Sequence, residues 1–356
     1  MINHSASHLL ATDFEYVRGI VERNFIGKGP LCAELESLLA TRFGRTEVTL
    51  THSGTAALHL GLVALAEQNR NKTRVLLGAY VCPEVVSAVI QAGLEPAFAD
   101  CRADSLNVDM AAMANGVDAK TLALICTNIG GVPDDYSAAA AMGIPVISDC
   151  AQSVGSRVAD RDVASEGICS ILSFGATKML TAGSGGALLT GSEELGQAVA
   201  GLARQELPVE QYRRAGFRGT FGQHIGDLTA GLALAQLRRL DAMVARRRQI
   251  AESYDGALSE QPDVHLVNDG GPVRSNRFRY YFLSEQAPAW VEYLRSHEID
   301  ARRSISHLLP EYFGNLKEFP NLAKMSERVV SVPIYPAMMA EQVSFVTEAL
   351  AAGLKR

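Results

Sequence analysis

Short apolar runs and helix-spaced apolar positions alternate along most of the chain. The first clear helical spacing covers residues 31–42, with Gly44 as its stop. A strand over 47–50 follows, and His52-Ser53-Gly54-Thr55 then opens a helix that continues to Gln68. Further strands are predicted over 74–77, 96–100, 122–127, 145–149, 168–174 and 185–190, with helices over 83–92, 134–142 and 193–204. This order predicts a largely parallel sheet covered on both faces. An irregular polar segment, 205–223, precedes a long helical pattern from about Asp227 past Arg248, which carries Leu228, Leu232, Leu234, Leu237, Leu240 and Val244. That pattern reads as a bridge to a second unit. The tail then offers a strand over 279–284, a helix over 288–298 and an apolar stretch ending in Pro336, the makings of a small α+β domain. With 356 residues, more than one core usually holds, the expected division is a large domain, 1–245, and a small one, 246–356.

Composition narrows the class of protein. A hydrophobic share of 47% with 20% charged residues is ordinary for a globular chain, and the net charge of −6 argues against nucleic acid as a partner. The short clusters Arg213-Arg214 and Arg246-Arg247-Arg248 read as solvated or ion-paired. No apolar run reaches membrane-spanning length, and the first twenty residues lack the pattern of a signal peptide. Six cysteines stand singly, without a CxxC pair, which predicts free thiols and a reducing, cytoplasmic setting. The eight histidines show neither HxxxH nor HExxH spacing, so no metal site is predicted.

The candidate chemistry lies between Asp149 and Lys178. One apolar run ends in Ser148-Asp149; another leads into Ser173, with Lys178 five residues on. An acid and a lysine thus sit where strands give way to loops, the place where an open α/β sheet binds its ligands. The pair suits pyridoxal phosphate: the lysine can form a Schiff base, and the acid can pair with the protonated pyridine nitrogen. Taken singly, Asp149 reads rather as a helix cap and Lys178 as a solvated loop residue. Likewise, Ser53-Gly54-Thr55 between strand and helix makes a phosphate seat or an ordinary N-cap.

Eight stretches resolve these alternatives together: FIGKGPLCAELESLLA, VTLTHSGTAALHLGL, VLLGAYVCPEVVSAVIQAGLEPAFAD, TNIGGVPDD, GIPVISDCAQSVGS, ILSFGATKMLTAGSGGALLT, DLTAGLALAQLRRLD and SVPIYP. In this order, from about residue 25 to the end, the chain resembles the DegT/DnrJ/EryC1/StrS family of sugar aminotransferases, which have the fold type I architecture of aspartate aminotransferase. The resemblance implies roles for individual residues. Lys178 would be the Schiff-base lysine and proton carrier, and Asp149 the partner of the pyridine nitrogen. Gln152 would hydrogen-bond the ring hydroxyl, while Gly54, Thr55 and Ser173 would hold the phosphate. Cys82 falls where the family has an aromatic residue against the ring, with Tyr80 as a substitute on the same strand face. Other departures are Asn128–Pro133 in place of HLYGQP, Ser184 for an acid, and Gly222 and His224, flanking Gln223, for an Asn and an Arg that reach the neighbouring subunit.

The activity that the resemblance implies is that of an aminotransferase, moving an amino group from glutamate or a similar amino acid to a keto group on a sugar nucleotide or related small molecule. Because the departures lie on the substrate side, the alternative is another pyridoxal-phosphate reaction on the same scaffold: elimination, replacement or carbon–carbon bond formation on an amino-acid-like substrate. A non-catalytic binding protein is disfavoured by the joint presence of Asp149, Gln152, Ser173 and Lys178. The resemblance also implies a homodimer with shared sites, in which 216–223 would cross to the partner.

Overall fold

The computed structural model describes residues 1–204, 220–267, 269–303, 309–314 and 316–354. Its centre is a seven-stranded sheet built from β1 (Glu47–Thr51), β2 (Arg74–Gly78), β3 (Glu95–Ala99), β4 (Thr121–Cys126), β5 (Val146–Asp149), β8 (Cys169–Ser173) and β9 (Gly186–Thr190). The spatial order is β1-β9-β8-β5-β4-β2-β3. Six strands point one way. Only β9 is reversed, pairing antiparallel with both β1 and β8, so the sheet is largely parallel, as the alternation of elements predicts. Two short strands between β5 and β8, β6 (Arg157–Val158) and β7 (Arg161–Asp162), form a separate small sheet with β11 (Val273–Arg274).

Helices cover both faces. Helix α1 (Phe14–Glu22) and α2 (Pro30–Phe43) lie on one side, and α3 (Gly54–Gln68), α4 (Pro83–Gln91) and a helix over Glu193–Ala203 on the other. Period-two alternation divides each strand between the two cores: Leu124 and Cys126 of β4 join one, Ala123 and Ile125 the other. Because α3 lies between the sheet and neighbouring helices, it is buried almost all round from Gly54 to Leu65, which explains its weak amphipathic pattern. Gly44 ends α2 in the left-handed conformation, at φ 60°.

The long helical pattern after Asp227 is broken. It forms two helices, Asp227–Arg238 and Leu240–Leu258, which meet at Arg239. Arg239 reaches back to the N-terminal segment, donating to the His8 carbonyl and pairing with buried Asp13 at 2.7 Å. Met243 and Val244 pack in a core shared with the main sheet, whereas Ile250, Ala251, Tyr254 and Leu258 pack in a second core with Trp290 and Phe282. A three-stranded sheet, β10-β12-β13 (Val264–Leu266, Tyr280–Ser284, Val329–Val332), backs that second core. The N-terminus joins it too, since Ile2 bridges Ile299 and packs on this cluster. Residues 205–219, which include Arg213-Arg214 and most of the irregular segment, lie outside the described residues. Among the described residues no helix is long and apolar enough to cross a membrane.

A glycine contact fixes how α3 meets the sheet. A Cβ added at Gly186, the first residue of β9, would fall 2.5 Å from both Gly54 N and Ser53 C. Backbone cannot yield there as a flexible side chain would. Gly186→Ala is therefore expected to destabilise the protein by about 3 kcal/mol or more, measured as a lowered urea midpoint with unchanged slope. An unchanged midpoint would show that α3 is free to shift.

Candidate active site

Because six strands run in parallel, their carboxyl ends line one edge, and the reversed β9 brings its first residue to the same edge. Asp149 ends β5, Ser173 ends β8, and the chain beyond β1 turns at once into α3. Gly54, Thr55, Cys82, Asp149, Gln152, Ser173 and Lys178, all seven residues singled out from the sequence, line one cavity of about 340 Å³. Val81, Glu84, Thr127 and Ile129 complete parts of its wall. They follow β2 and β4, and their position at strand ends was the only sequence signal that could have marked them.

At one end of the cavity, Ser53 caps α3, its Oγ accepting from Ala56 N–H at 3.0 Å. Gly54 is tight against the end of β8: an added Cβ would lie 3.0 Å from Ser173 Cβ and 3.2 Å from the Leu172 carbonyl. The helix start, its free N–H groups and the Ser173 hydroxyl are thereby gathered at a place suited to a phosphate.

Asp149 is buried on another wall. Its Oδ1 accepts from Ala151 N–H at 2.9 Å, and its own carbonyl accepts from Asn128 Nδ2 at 3.1 Å. Burial pushes the Asp149 carboxyl above the usual carboxylate range, against the smaller opposing pulls of the Ala151 hydrogen bond and the Lys178 charge. Asn128 sits in the left-handed region at φ 48°. Its amide donates to Tyr136 Oη and its Oδ1 accepts from Asp134 N–H, so the turn that replaces the family's HLYGQP is locked from behind. The same turn orients Gln152, whose Oε1 accepts from Gly130 N–H at 2.9 Å, while its Nε2 donates to Cys82 Sγ at 3.7 Å. Burial also pushes the Cys82 thiol up, so the group facing the cavity is a neutral thiol.

Lys178 follows a turn closed by its own N–H to the Gly175 carbonyl. Thr181 Oγ1 and Ser7 Oγ both donate to the Ala176 carbonyl, which ties that turn to the N-terminal segment. The Lys178 ammonium lies 5.5 Å from the centre of the Phe278 ring. A lysine amine, a buried acid and a helix N-terminus around one cavity form a set of groups that fits pyridoxal phosphate. Among the described residues there is no group of three or more His, Cys, Asp or Glu able to hold a metal ion.

Four positions named from the sequence lie outside this cavity. Tyr80 is not on a strand face with Cys82, because β2 ends at Gly78; it packs beside Ala79, Cys101 and Tyr281. Ser184 is exposed in the turn before β9. Gln223 and His224 are absent from the cavity of their own chain: Phe221 and Gln223 donate their N–H groups to the Leu202 and Ala203 carbonyls instead.

The DegT/DnrJ/EryC1/StrS aminotransferase family profile matches residues 8–351. The spore coat polysaccharide biosynthesis protein SpsC of Bacillus subtilis is 29% identical, over 95% of this chain and 93% of its own. A GDP-perosamine synthase of Escherichia coli O157:H7 is 26% identical over 96% and 95%. The crystal structure of the aminotransferase TlmJ from Streptoalloteichus hindustanus superposes with a TM-score of 0.91, at 24% identity, over 99% of this chain and 98% of that one.

The state of Asp149 can be tested without turnover. An acid whose pKa is raised on folding costs nothing below the unfolded value, about pH 4, and opposes folding as the pH rises through the folded value. In cofactor-free protein, Asp149→Asn is therefore expected to raise the melting temperature by a few degrees near neutrality and to have no effect at about pH 4. A lowered melting temperature at neutral pH would mean that the carboxylate is already favourably paired.

Proposed function

Because the chain belongs to the DegT/DnrJ/EryC1/StrS aminotransferase family, pyridoxal-phosphate-dependent enzymes of fold type I, we propose that it transfers an amino group from an amino acid such as glutamate to a keto group on a sugar nucleotide or related small molecule. The observation that carries this reading is the convergence of Lys178, buried Asp149 and the α3 N-terminus on one cavity. Kinship with a GDP-perosamine synthase favours a nucleotide-linked sugar as the acceptor. Transamination, rather than elimination, replacement or carbon–carbon bond formation, follows from the family.

Pyridoxal phosphate, when bound, supplies an electron sink for the carbon that carries the amino group. We assign the rest to the chain's own residues. Lys178 Nζ binds the cofactor covalently and, once released, takes a proton from one carbon and delivers it to another. The Asp149 carboxylate, in a dry wall, would hold a positive charge on the ring nitrogen, where such a pairing is strong. Gln152 Nε2 is placed to donate to a ring oxygen, and the Gly54 and Thr55 N–H groups with Ser173 Oγ bind the phosphate. Cys82, a neutral thiol on the cavity wall, would stand toward the ring where the family has an aromatic residue.

We further assign residues 1–245 to a large cofactor-binding domain and 246–356 to a small one, supported by the two separate cores. All six cysteines are free, which favours the cytoplasm. We also infer a homodimer with shared sites. Phe14, Val21, Phe25, Ile26 and Phe221 are exposed, an apolar surface suited to a partner subunit. Gly222 has no side chain to reach across, so Gln223 or His224 would contact the neighbour's cofactor.

Glutamate should discharge the absorbance of the protein-bound cofactor, and borohydride reduction followed by peptide mapping should find the label on Lys178. Bound cofactor that ignores every amino acid would refute the transfer; label on another lysine would refute the residue. For the dimer, a Lys178→Ala subunit mixed with one altered at both Gln223 and His224 should recover activity. Failure to recover it, or an active monomer at high dilution, would count against a shared site.

A further inference from the structure

Arg279 stands immediately before β12, half-buried, with no ion pair to another described residue. A cation partly withdrawn from water without a counter-charge is a candidate for binding an anion. Its neighbour Arg247 shows the contrast: Arg247 Nη1 donates to the Phe278 and Ile334 carbonyls at 3.1 and 2.8 Å. Among the described residues the Arg279 guanidinium makes one hydrogen bond, from Nη1 to His4 Nδ1 at 3.4 Å, and most of its five donors have no acceptor there.

The position is tied to the cavity. Arg279 Cζ lies 4.8 Å from the centre of the Phe278 ring, the same ring that Lys178 Nζ approaches to 5.5 Å. Its backbone N–H donates to the Gly130 carbonyl at 3.0 Å, and Gly130 N–H in turn holds Gln152. Its charge acts on Cys82 of the cavity wall and on Tyr80.

A chain of hydrogen bonds holds the guanidinium in place. Burial and the charges of Arg279 and Arg302 push the His4 pKa down to about 3, so its ring is neutral. A neutral ring accepts from Arg279 at Nδ1 and donates from Nε2 to Ser331 Oγ at 2.9 Å; that hydroxyl donates onward to the Tyr280 carbonyl at 3.2 Å. His4 itself is fixed by its N–H to Asp300 Oδ2 and by the Ile2–Ile299 bridge.

We propose that Arg279 is the carboxylate-binding cation of this site: its free N–H groups receive a carboxylate of the amino-acid donor, and His4 is the positioning residue that aims them. The proposal rests on the aminotransferase reading. A planar fork matches a carboxylate, and the phosphate has a separate seat at α3.

The test uses cofactor-loaded protein and glutarate, an unreactive dicarboxylate, titrated calorimetrically. Wild type should bind glutarate. Arg279→Gln should retain the bound-cofactor absorbance and bind glutarate about tenfold to a hundredfold more weakly, with Arg279→Lys recovering part of the loss. His4→Ala should weaken glutarate and raise the glutamate concentration needed for half-saturation several-fold, leaving the rate at saturating glutamate unchanged, a split that general loss of structure would not give. If Arg279→Gln does not load cofactor, the lysine and His4 variants carry the test. Wild type that does not bind glutarate, or variants that bind it as wild type does, would overturn the proposal. Wild type that binds glutarate through Arg279 yet does not react with glutamate would uphold the cation and overturn the donor reading instead.

Discussion

Asp149 is an ionisable carboxyl in a wall that water hardly reaches, and burial penalises its charge. Everything around it keeps that acid from relaxing away. The strand that carries it pairs with β8 up to Asp149 itself, opposite Ile171. Asn128 grips its carbonyl, Ala151 its Oδ1, and a network of Tyr136, Ser148, Asp134 and Asn107 closes behind Asn128. A satisfied buried polar network of this kind is rigid because any shift would strand a donor or acceptor. In the proposed role, the acid would meet a cationic ring nitrogen with its own position fixed beforehand and its desolvation cost already met by the fold. Electrostatic stabilisation of this preorganised kind does not depend on reorienting solvent.

Much of this was legible in the chain. Strand ends are marked by the change from apolar to polar residues, and in a parallel sheet every such end falls on one edge, so Asp149, Ser173 and the Ser53 cap could be brought together without coordinates. Departures were legible as well, including Cys82. What could not be read was decided by contacts distant in sequence. The break at Arg239 has no Gly or Pro to announce it; Arg238-Arg239-Leu240 is a good helical sequence overridden by the Asp13 ion pair and the His8 carbonyl. Tyr80 was misplaced because β2 ends at Gly78, so neither it nor Cys82 belongs to the strand. The first residues carry no motif, yet His4 and Ser7 reach the site's surroundings through hydrogen bonds to Arg279 and to the Lys178 turn.

The glycine contact and the reversed strand explain how the α3 start and the Lys178 turn come to share one cavity. β9 begins where β1 and β8 end, so Gly186 lies against Ser53 and Gly54, and the turn bearing Lys178 needs to span only the short path between neighbouring antiparallel strands. A parallel β9 would have required a crossover helix and would have carried the lysine loop away from the edge.

The N-terminal strap also sets the order in which the molecule can be completed. His4 is held by Asp300, a residue 296 positions later, and Ile2 by Ile299. During vectorial synthesis this strap must wait about a hundred residues beyond the main sheet, which already has all its strands by Thr190. The scaffold that surrounds the lysine turn can therefore form well before the strap that ties that turn down. A nascent chain at that stage has the cavity edge of its sheet assembled but unfastened, so the strap is closed only after Ile299 and Asp300 have been made.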